Sequence, residues 1–289
     1  MSLSKKIDFA VIVRVRSANP NGDPLNGNRP RTDYNGIGEI TDVCLKRKIR
    51  DRLIERFQSL DEKAKEGQAV FVQSDDRNVD GEPSLRVRAE SKLNGLGKEA
   101  FAAKADKTKT AAAACSKWID VRAFGQVFAF GKSSDASGVS IPIRGPVTIH
   151  SAFSIEPVTT TSTQITKSVS GEGDGSKRGS DTMGMKHRVD SGVYVTYGSM
   201  NPQLSERTGF SDDDAKTIKE ILPILFENEA SSARPDGSLE VLKVLWWEHN
   251  CKSGQHSSAK VHRSVTVGPD GSYTIAPLTD LVPEEVSGF

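Results

Sequence analysis

The residues in this chain that could support metal or nucleotide chemistry are a few glycine-rich turns, an acidic turn, five histidines and three cysteines. Spacing decides each case. Phe130-Gly131-Lys132-Ser133 ends as a phosphate-binding loop would. The earlier glycine position, however, holds Gln126, with Gly125 one residue early, and no apolar helix follows. Asp76-Arg77-Asn78-Val79-Asp80-Gly81 begins like a calcium loop, but the closing position is Val87, where a bidentate Glu is required. Gly171, Gly173 and Gly175 do not join a strand to a helix, as a dinucleotide site demands. His150, His187, His249, His256 and His262 include no i,i+4 pair of the kind that holds zinc. Cys44, Cys115 and Cys251 are odd in number and far apart, which fits a reducing cytoplasm and encodes no disulfide framework. Neither a cofactor nor a metal is expected.

What remains is cationic and amide-rich. Residues 41–52 carry Lys46, Arg47, Lys48, Arg50 and Arg52 against only Asp42 and Asp51. They follow a polar loop, Asn19-Pro20-Asn21-Gly22-Asp23-Pro24, that continues through Arg29 and Arg31 to Asp33. A basic helix face alone is ordinarily a solvated surface. Here it adjoins a loop with the groups that contact phosphates, and a helix N-terminus with free N–H groups to offer an anion. A second constellation, Met183-Gly184-Met185-Lys186-His187-Arg188, sets apolar tips beside cations, a combination that can part stacked bases while holding a backbone. With 39 basic and 38 acidic residues the net charge is only +1, so any polyanion site is local. Aromatics make up 6%, too few to favour a site built on stacked bases.

These residues need elements to position them. Residues 7–16 alternate over their second half, with Val11, Val13 and Val15 on one face, and read as a half-buried strand. Thr41 or Asp42 caps a helix to about Ser59, whose buried stripe is Leu45, Ile49, Leu53 and Phe57, joined by Ile54. Lys104 to Trp118 is an Ala-rich helix. Ile119 to Phe130 reads as extended, Gly131 to Gly138 as a loop, and Ile141 to Val158 as a strand broken at Gly145-Pro146. A Thr/Ser/Gly-rich insert from Thr159 to Gly184 precedes a strand from Val189 to Tyr197, as an extended hairpin arm would. Ser211 caps an acidic first turn of a helix that Pro223 should kink. Leu239 to Glu248 is a buried strand, and Val261 to Ile275 a short hairpin. The order strand, helix, strand, strand, helix, strand gives an α+β chain of ferredoxin-like βαββαβ type, with a helical insertion and a hairpin arm. No run approaches the roughly 18 apolar residues of a membrane span, and the N-terminal segment reads as a strand rather than a signal peptide.

Five blocks in this order resemble a known family: Asn19 to Pro24, Ile40 to Arg47, Asp120 to Gly125, Ile143 to Val147 and Met185 to Val189. They are similar to the backbone subunit of type I CRISPR effector complexes, nearest the type I-C form, within the repeat-associated mysterious protein superfamily. The likeness extends from Ile7 to about Trp247. It implies a single hand-shaped unit over residues 1–289. A modified RNA-recognition-motif palm would take residues 5–59, 119–158 and 188–289, a helical finger region residues 60–118, and a hairpin thumb residues 159–187. It also implies several copies in a helical filament along one guide RNA, pairing of the guide with target DNA, further effector subunits and a recruited helicase-nuclease. Guide contacts would fall at Asn19, Asn21, Arg29, Arg31, Lys46, Arg47 and Arg50. A second group would be Arg122, Arg144, Lys186, His187 and Arg188, with Met183 and Met185 as the thumb wedge. An alternative stays open. Type III relatives cut target RNA with an aspartate in the loop after the first strand, where this chain has Asp23 and Asp33, and carboxylates with a metal suffice for phosphoryl transfer. Asp23, between Gly22 and Pro24, is equally a plain turn residue.

Overall fold

A computed structural model describes residues 2–102, 104–132, 135–169 and 183–289. The chain opens on β1 (Ile7–Ala18), where Phe9, Val11, Val13 and Val15 face one side of a sheet and Ala10 and Ile12 the other. Both sides are buried as far as Val13, so the strand is covered twice rather than half-buried. Two short strands, β2 (Gly22–Asp23) and β3 (Arg29–Pro30), then form a small hairpin, and β4 (Ile37–Ile40) makes an edge of the main sheet. Thr41 caps α1 (Asp42–Ser59) by accepting the Cys44 amide at 3.2 Å. Leu45, Ile49, Leu53 and Ile54 are buried along its inner face, as their spacing predicts, whereas Phe57, expected in the same stripe, is only partly buried near the end of the helix.

The next stretch supplies α2 (Leu85–Glu90), α3 (Lys107–Lys117) and α4 (Ile119–Phe124). The last of these corrects the extended reading of Ile119–Phe130. Ile119, Val121 and Ala123 alternate with other residues as a strand would, but the surroundings override the pattern. Ile119 and Ala123 join one core, Val121 joins another, and Asp120 and Arg122 find buried partners of opposite charge. The segment expected as a loop from Gly131 to Gly138 is largely hairpin: β5 (Gly125–Lys132) pairs with β6 (Asp135–Arg144). The strand expected from Ile141 onward is therefore divided. Its first residues belong to that hairpin, and after Gly145-Pro146 the chain resumes as β7 (Val147–Ile149) and β8 (Ala152–Pro157).

Then come β9 (Thr160–Thr166) and β10 (Met183–Met200), which starts six residues earlier than the Val189 its alternation marked. The glycines at 171, 173 and 175 lie outside the described residues. Helices α5 (Pro202–Thr208) and α6 (Asp212–Ile221) follow. Ser211 caps α6 reciprocally, its Oγ accepting the Asp214 amide at 3.1 Å while its own amide donates to Asp214 Oδ2 at 2.9 Å. At Pro223 the helix gives way to a single tighter turn, Leu222–Ile224. The chain ends with β11 (Leu239–Glu248), α7 (Ser258–Arg263), β12 (Val265–Val267), β13 (Tyr273–Ile275) and β14 (Glu284–Ser287). Val261, expected in a strand, lies within α7 and is buried there.

The main sheet runs β14-β11-β1-β10-β8-β4, with β7 and β9 also paired to β10. With β1, β8, β10 and β11 as first to fourth, the central order is fourth, first, third, second, and each neighbouring pair is antiparallel. Helices α1 and α6 cover one face through the principal core. The other face is closed by α7, β12 and Leu281 against Ala10, Ile12, Leu245 and Trp247. Asp8 fastens this cover. Fully buried, it faces His249 Nε2 at 2.8 Å, Lys6 Nζ at 3.2 Å and His262 Nε2 at 3.5 Å. Since His249 Nδ1 accepts the Gln255 amide at 2.9 Å, its proton sits on Nε2 and donates to Asp8. A separate cluster of Phe71, Phe101, Trp118, Phe128 and Ile141 unites the segment before residue 118 with the β5–β6 hairpin. The expected finger–palm boundary at 118/119 thus runs through one apolar core.

Candidate nucleic-acid interface

The loop after β1 is a built structure. The Asn19 amide donates to the Ala233 carbonyl at 2.9 Å and its Nδ2 to the Asn28 carbonyl at 2.6 Å. Asn21 Oδ1 accepts both the amide and the hydroxyl of Thr41, at 3.0 and 2.8 Å, which ties the loop to the cap of α1. The two asparagines expected to meet a backbone therefore position the loop, and Asn19 is only 6% exposed. Arg29 is exposed, with a 3.5 Å contact to Asn26 Oδ1 and no carboxylate partner among the described residues. Arg31 faces Asp23 at 3.4 Å. Asp23 Oδ1 also accepts the Leu25 amide at 3.2 Å, and Asp33 Oδ1 accepts the amides of Asn35 and Ile37 at 2.8 and 2.9 Å. Each aspartate stabilises its own turn.

Along α1 the expected cations divide by burial. Lys46 pairs with Asp42 one turn back at 2.9 Å, and Arg47 reaches Asp76 at 2.9 Å, both at partly exposed sites. Such pairs contribute only about 0–1 kcal/mol, so a phosphate can displace them at little cost. Arg50 differs. Its Nε donates to the fully buried Asp120 at 2.9 Å, and its guanidinium lies over the Phe124 ring at 5.2 Å. Asp120 also accepts the amides of Phe71 and Val72, at 2.7 and 3.1 Å. Arg122 is likewise internal: Nε and Nη2 donate to the two Asp214 oxygens at 2.9 and 2.7 Å. Arg50 and Arg122 hold the second core to α1 and α6, and the structure places neither in the open. Periodicity could not separate them from Lys46 and Arg47, because their acids come from 70 and 92 residues away.

Lys48 and Arg52 carry no functional expectation from sequence, and both are buried on α1, where Lys48 pairs with Glu229. Glu229 belongs to a segment that also brings Arg234 to the loop root, its Nη1 3.5 Å from the Asn19 carbonyl. A lone arginine in a Ser/Ala/Pro/Gly stretch gives no sequence signal of this kind.

The arm is an antiparallel ribbon in which Thr160–Thr166 pairs with Met183–Val189 in unbroken register. Side chains alternate across it. Met183, Met185 and His187 therefore share one face, and Lys186 and Arg188 the other. The sequence sets the two apolar tips beside three cations, whereas the strand puts Lys186 and Arg188 behind them. Met183 and Met185 are 63% and 54% exposed. His187 is buried, its Nδ1 2.7 Å from Ser162 Oγ. Arg188 lies 3.4 Å from Asp190 and stays exposed. Arg144 is exposed at the end of β6, on the hairpin of the second core. Arm and loop start together, since Ala18, the last residue of β1, pairs with Val189 at the foot of the ribbon.

Among the described residues, the aromatic rings of β1, β10 and β11 are buried or packed against a core, whereas Phe153 on β8 is 46% exposed. Phe9 and Trp246 stack on each other, 5.7 Å between centroids, in the principal core, and Trp247 lies beneath the C-terminal cover. A polyanion would meet the loop, the outer face of α1 and the arm. Among the described residues, no three His, Cys, Asp or Glu side chains gather closely enough to hold a metal ion, and no helix is long and apolar enough to cross a membrane.

Comparison with known proteins gives a family. The model of the family described as CRISPR-associated protein Cas7 matches residues 5–282. A Haloferax volcanii protein, CRISPR-associated protein Cas7, is 24% identical over 294 residues, which cover 98% of this chain and 81% of its own length. Among solved structures, a chain of a CRISPR RNA-guided surveillance complex in a pre-nicking state superposes with a TM-score of 0.49 at 18% identity, over 84% of this chain and 75% of that one. A chain of another CRISPR RNA-guided surveillance complex does so with a TM-score of 0.48 at 16% identity, over 92% and 77%.

Proposed function

The chain belongs to the CRISPR-associated Cas7 family, and we propose that it is the non-catalytic, guide-RNA-binding backbone subunit of a type I effector complex, of the I-C form. Copies of it line up along one guide RNA in the cytoplasm as a helical filament. The loop and α1 hold the sugar–phosphate backbone, and the arm separates the bases into short segments. The guide so displayed pairs with target DNA, beside further subunits and a recruited helicase-nuclease. In this reading the central sheet, with its fourth-first-third-second order, is a modified RNA-recognition-motif palm of ferredoxin-like type, and the ribbon of β9 and β10 is the thumb. Arg29, Arg31, Lys46 and Arg47 supply the backbone contacts on the palm, with Arg144, Lys186 and Arg188 beyond it. Met183 and Met185 form the wedge. Asn19, Asn21, Arg50, Arg122 and His187 act by holding these groups in place.

The observation that carries this reading is the register pair Ala18–Val189. It starts a cation-bearing loop and a ribbon with two exposed methionines from one point on the sheet, as two sides of a grip. The largely covered central sheet supports the same reading, because it leaves few rings for bases to stack on and favours contacts to the backbone, which suits a subunit that must accept every guide sequence. The two loop aspartates, each occupied in its own turn, favour binding over cleavage. The test is purification with and without a co-expressed guide, followed by recovery of RNA and electron microscopy of the product. Length-dependent, sequence-tolerant assembly is expected. Protein free of RNA despite abundant guide, or metal-dependent cleavage of complementary RNA lost in Asp33→Ala or Asp23→Ala, overturns it.

A further inference from the structure

Around the loop root the fold neutralises most of the cations it places there. Arg31 has Asp23, Lys46 has Asp42, Arg47 has Asp76, Arg50 has Asp120 and Lys48 has Glu229. Arg234 is different: among the described residues no carboxylate stands within ion-pair distance of it. Its main-chain amide is held in a turn by Ser231, donating to the carbonyl at 3.1 Å and to Oγ at 3.2 Å. Its guanidinium makes one contact, Nη1 to the Asn19 carbonyl at 3.5 Å, the outer limit for a hydrogen bond. Its Nε is buried without a partner, as is Asn19 Oδ1 beside it. Arg234 also lines a cavity of about 110 Å³ with Arg47, Lys48 and Arg77. The acids on that wall, Asp51, Asp76 and Glu229, already face Arg47 or Lys48. Among the described residues the charge of Arg234 thus has no acid of its own, in a cavity walled by α1 and the segment after α6 and joined to the loop through the Asn19 carbonyl.

A purely structural role does not account for this group. A single weak contact to a carbonyl does not offset the cost of holding an arginine partly buried with an unpaired donor. An anion would use the remaining donors, and a guanidinium takes phosphate oxygens in pairs. We propose that Arg234 is a further guide-RNA contact, receiving a phosphodiester oxygen at the root of the Asn19–Asn21 turn beside Arg47. The assignment rests on the reading of the loop as an RNA-binding element. It adds a contact from a segment 215 residues beyond Asn19, so that RNA there would also fasten the segment after α6 to the loop.

The experiment measures guide-RNA affinity of the full-length protein across a range of salt concentrations, for the parent, Arg234→Gln and Arg234→Lys, with sedimentation and thermal melting of each protein without RNA. The expected result for Arg234→Gln is a loss of at least about tenfold in affinity and a salt slope shallower by about 0.7, the loss of one phosphate contact on a single strand. Arg234→Lys should keep the parental slope with part of the affinity. A parent that binds RNA and an Arg234→Gln variant with unchanged affinity and slope overturn this assignment alone. Weakened binding with the parental slope and a lower melting temperature also overturns it, by showing that Arg234 only supports the loop. A change confined to self-association assigns the residue to a contact between copies instead. A parent that binds no guide overturns the function proposed above as well.

Discussion

Asp214 receives two hydrogen bonds from the Arg122 guanidinium, at 2.9 and 2.7 Å, and one from the Ser211 amide, at 2.9 Å. One carboxylate thus closes the N-terminus of α6 and joins that helix to the helix beside the second core. Arg122 is 7% exposed, so its removal leaves a buried, uncompensated charge. Breaking such a pair costs about 3–5 kcal/mol. Arg122→Ala should therefore lower the urea midpoint of unfolding strongly. Its guide binding, measured where the protein is still folded, should stay near the parental value.

Arg29 and Arg50 should separate binding from folding. Arg29→Glu is expected to weaken guide binding and flatten its salt dependence while leaving the melting temperature within about a degree or two, since exposed substitutions rarely change stability by more than about 0.5 kcal/mol. Arg50→Glu sets a carboxylate against the buried Asp120 and should depress the melting temperature before any binding defect can be resolved. Thermal melts beside binding isotherms check both. Equal behaviour of the two variants would contradict the division by burial.

The two faces of the arm make different predictions. Met183→Ala with Met185→Ala removes apolar contact only, and should reduce guide affinity with an unchanged salt slope. Lys186→Glu with Arg188→Glu should make the slope shallower. Binding measured over a salt series distinguishes them, and a slope altered by the methionine pair would show that the two faces do not act separately.

Acid should loosen the C-terminal cover. Burial pushes the Asp8 carboxyl up, but hydrogen bonds from His249, His262 and Ser258 and the charge of Lys6 outweigh it and hold the group well below its ordinary 3.8. A folded pKa below the unfolded one means that the stabilisation is complete above about pH 4 and lost as pH falls toward the folded value. Unfolding free energy followed from pH 6 downward should decline below about pH 4. Asp8→Asn should be less stable at neutral pH and show a smaller decline. Parallel curves for the two proteins would remove Asp8 from this role.

The three thiols should differ in reactivity. Burial pushes Cys115 up to about 11, with Arg122 opposing, and pushes Cys44 up as well. Cys251 is exposed. A maleimide at neutral pH should label Cys251 first, and Cys115 only on unfolding, as mass spectrometry of timed samples would report.

Much of this protein was legible in its sequence because the determining signals are local. The inner stripe of α1, the Thr41 and Ser211 caps, the buried strand at Leu239–Glu248 and an insert leading into a strand all follow from spacings within a few residues. The blocks that carry the family likeness are equally contiguous. The misreadings share one cause, that a distant segment supplied what the local pattern lacked. Ile119–Phe124 alternates like a strand, yet is a helix because Arg50 and Asp214 wait on either side for Asp120 and Arg122. The division of the cationic residues was hidden for the same reason. Lys46 and Arg50 lie one turn apart on one helix, and nothing in their spacing tells which has a buried acid above it.

Sequence by itself therefore determined most of the elements, the family likeness and the residue types of the proposed grip. Tertiary structure decided which of those residues are exposed and which are internal. The periodicity that marks a helix or strand is read from neighbours within about four residues, whereas the burial and pairing of a charge depend on whatever the fold brings against it. Thus Arg50 and Arg122 became internal ties, Met183 and Lys186 were assigned to opposite faces, and Arg234, some 215 residues on in sequence, came to stand beside Asn19 with no carboxylate partner among the described residues.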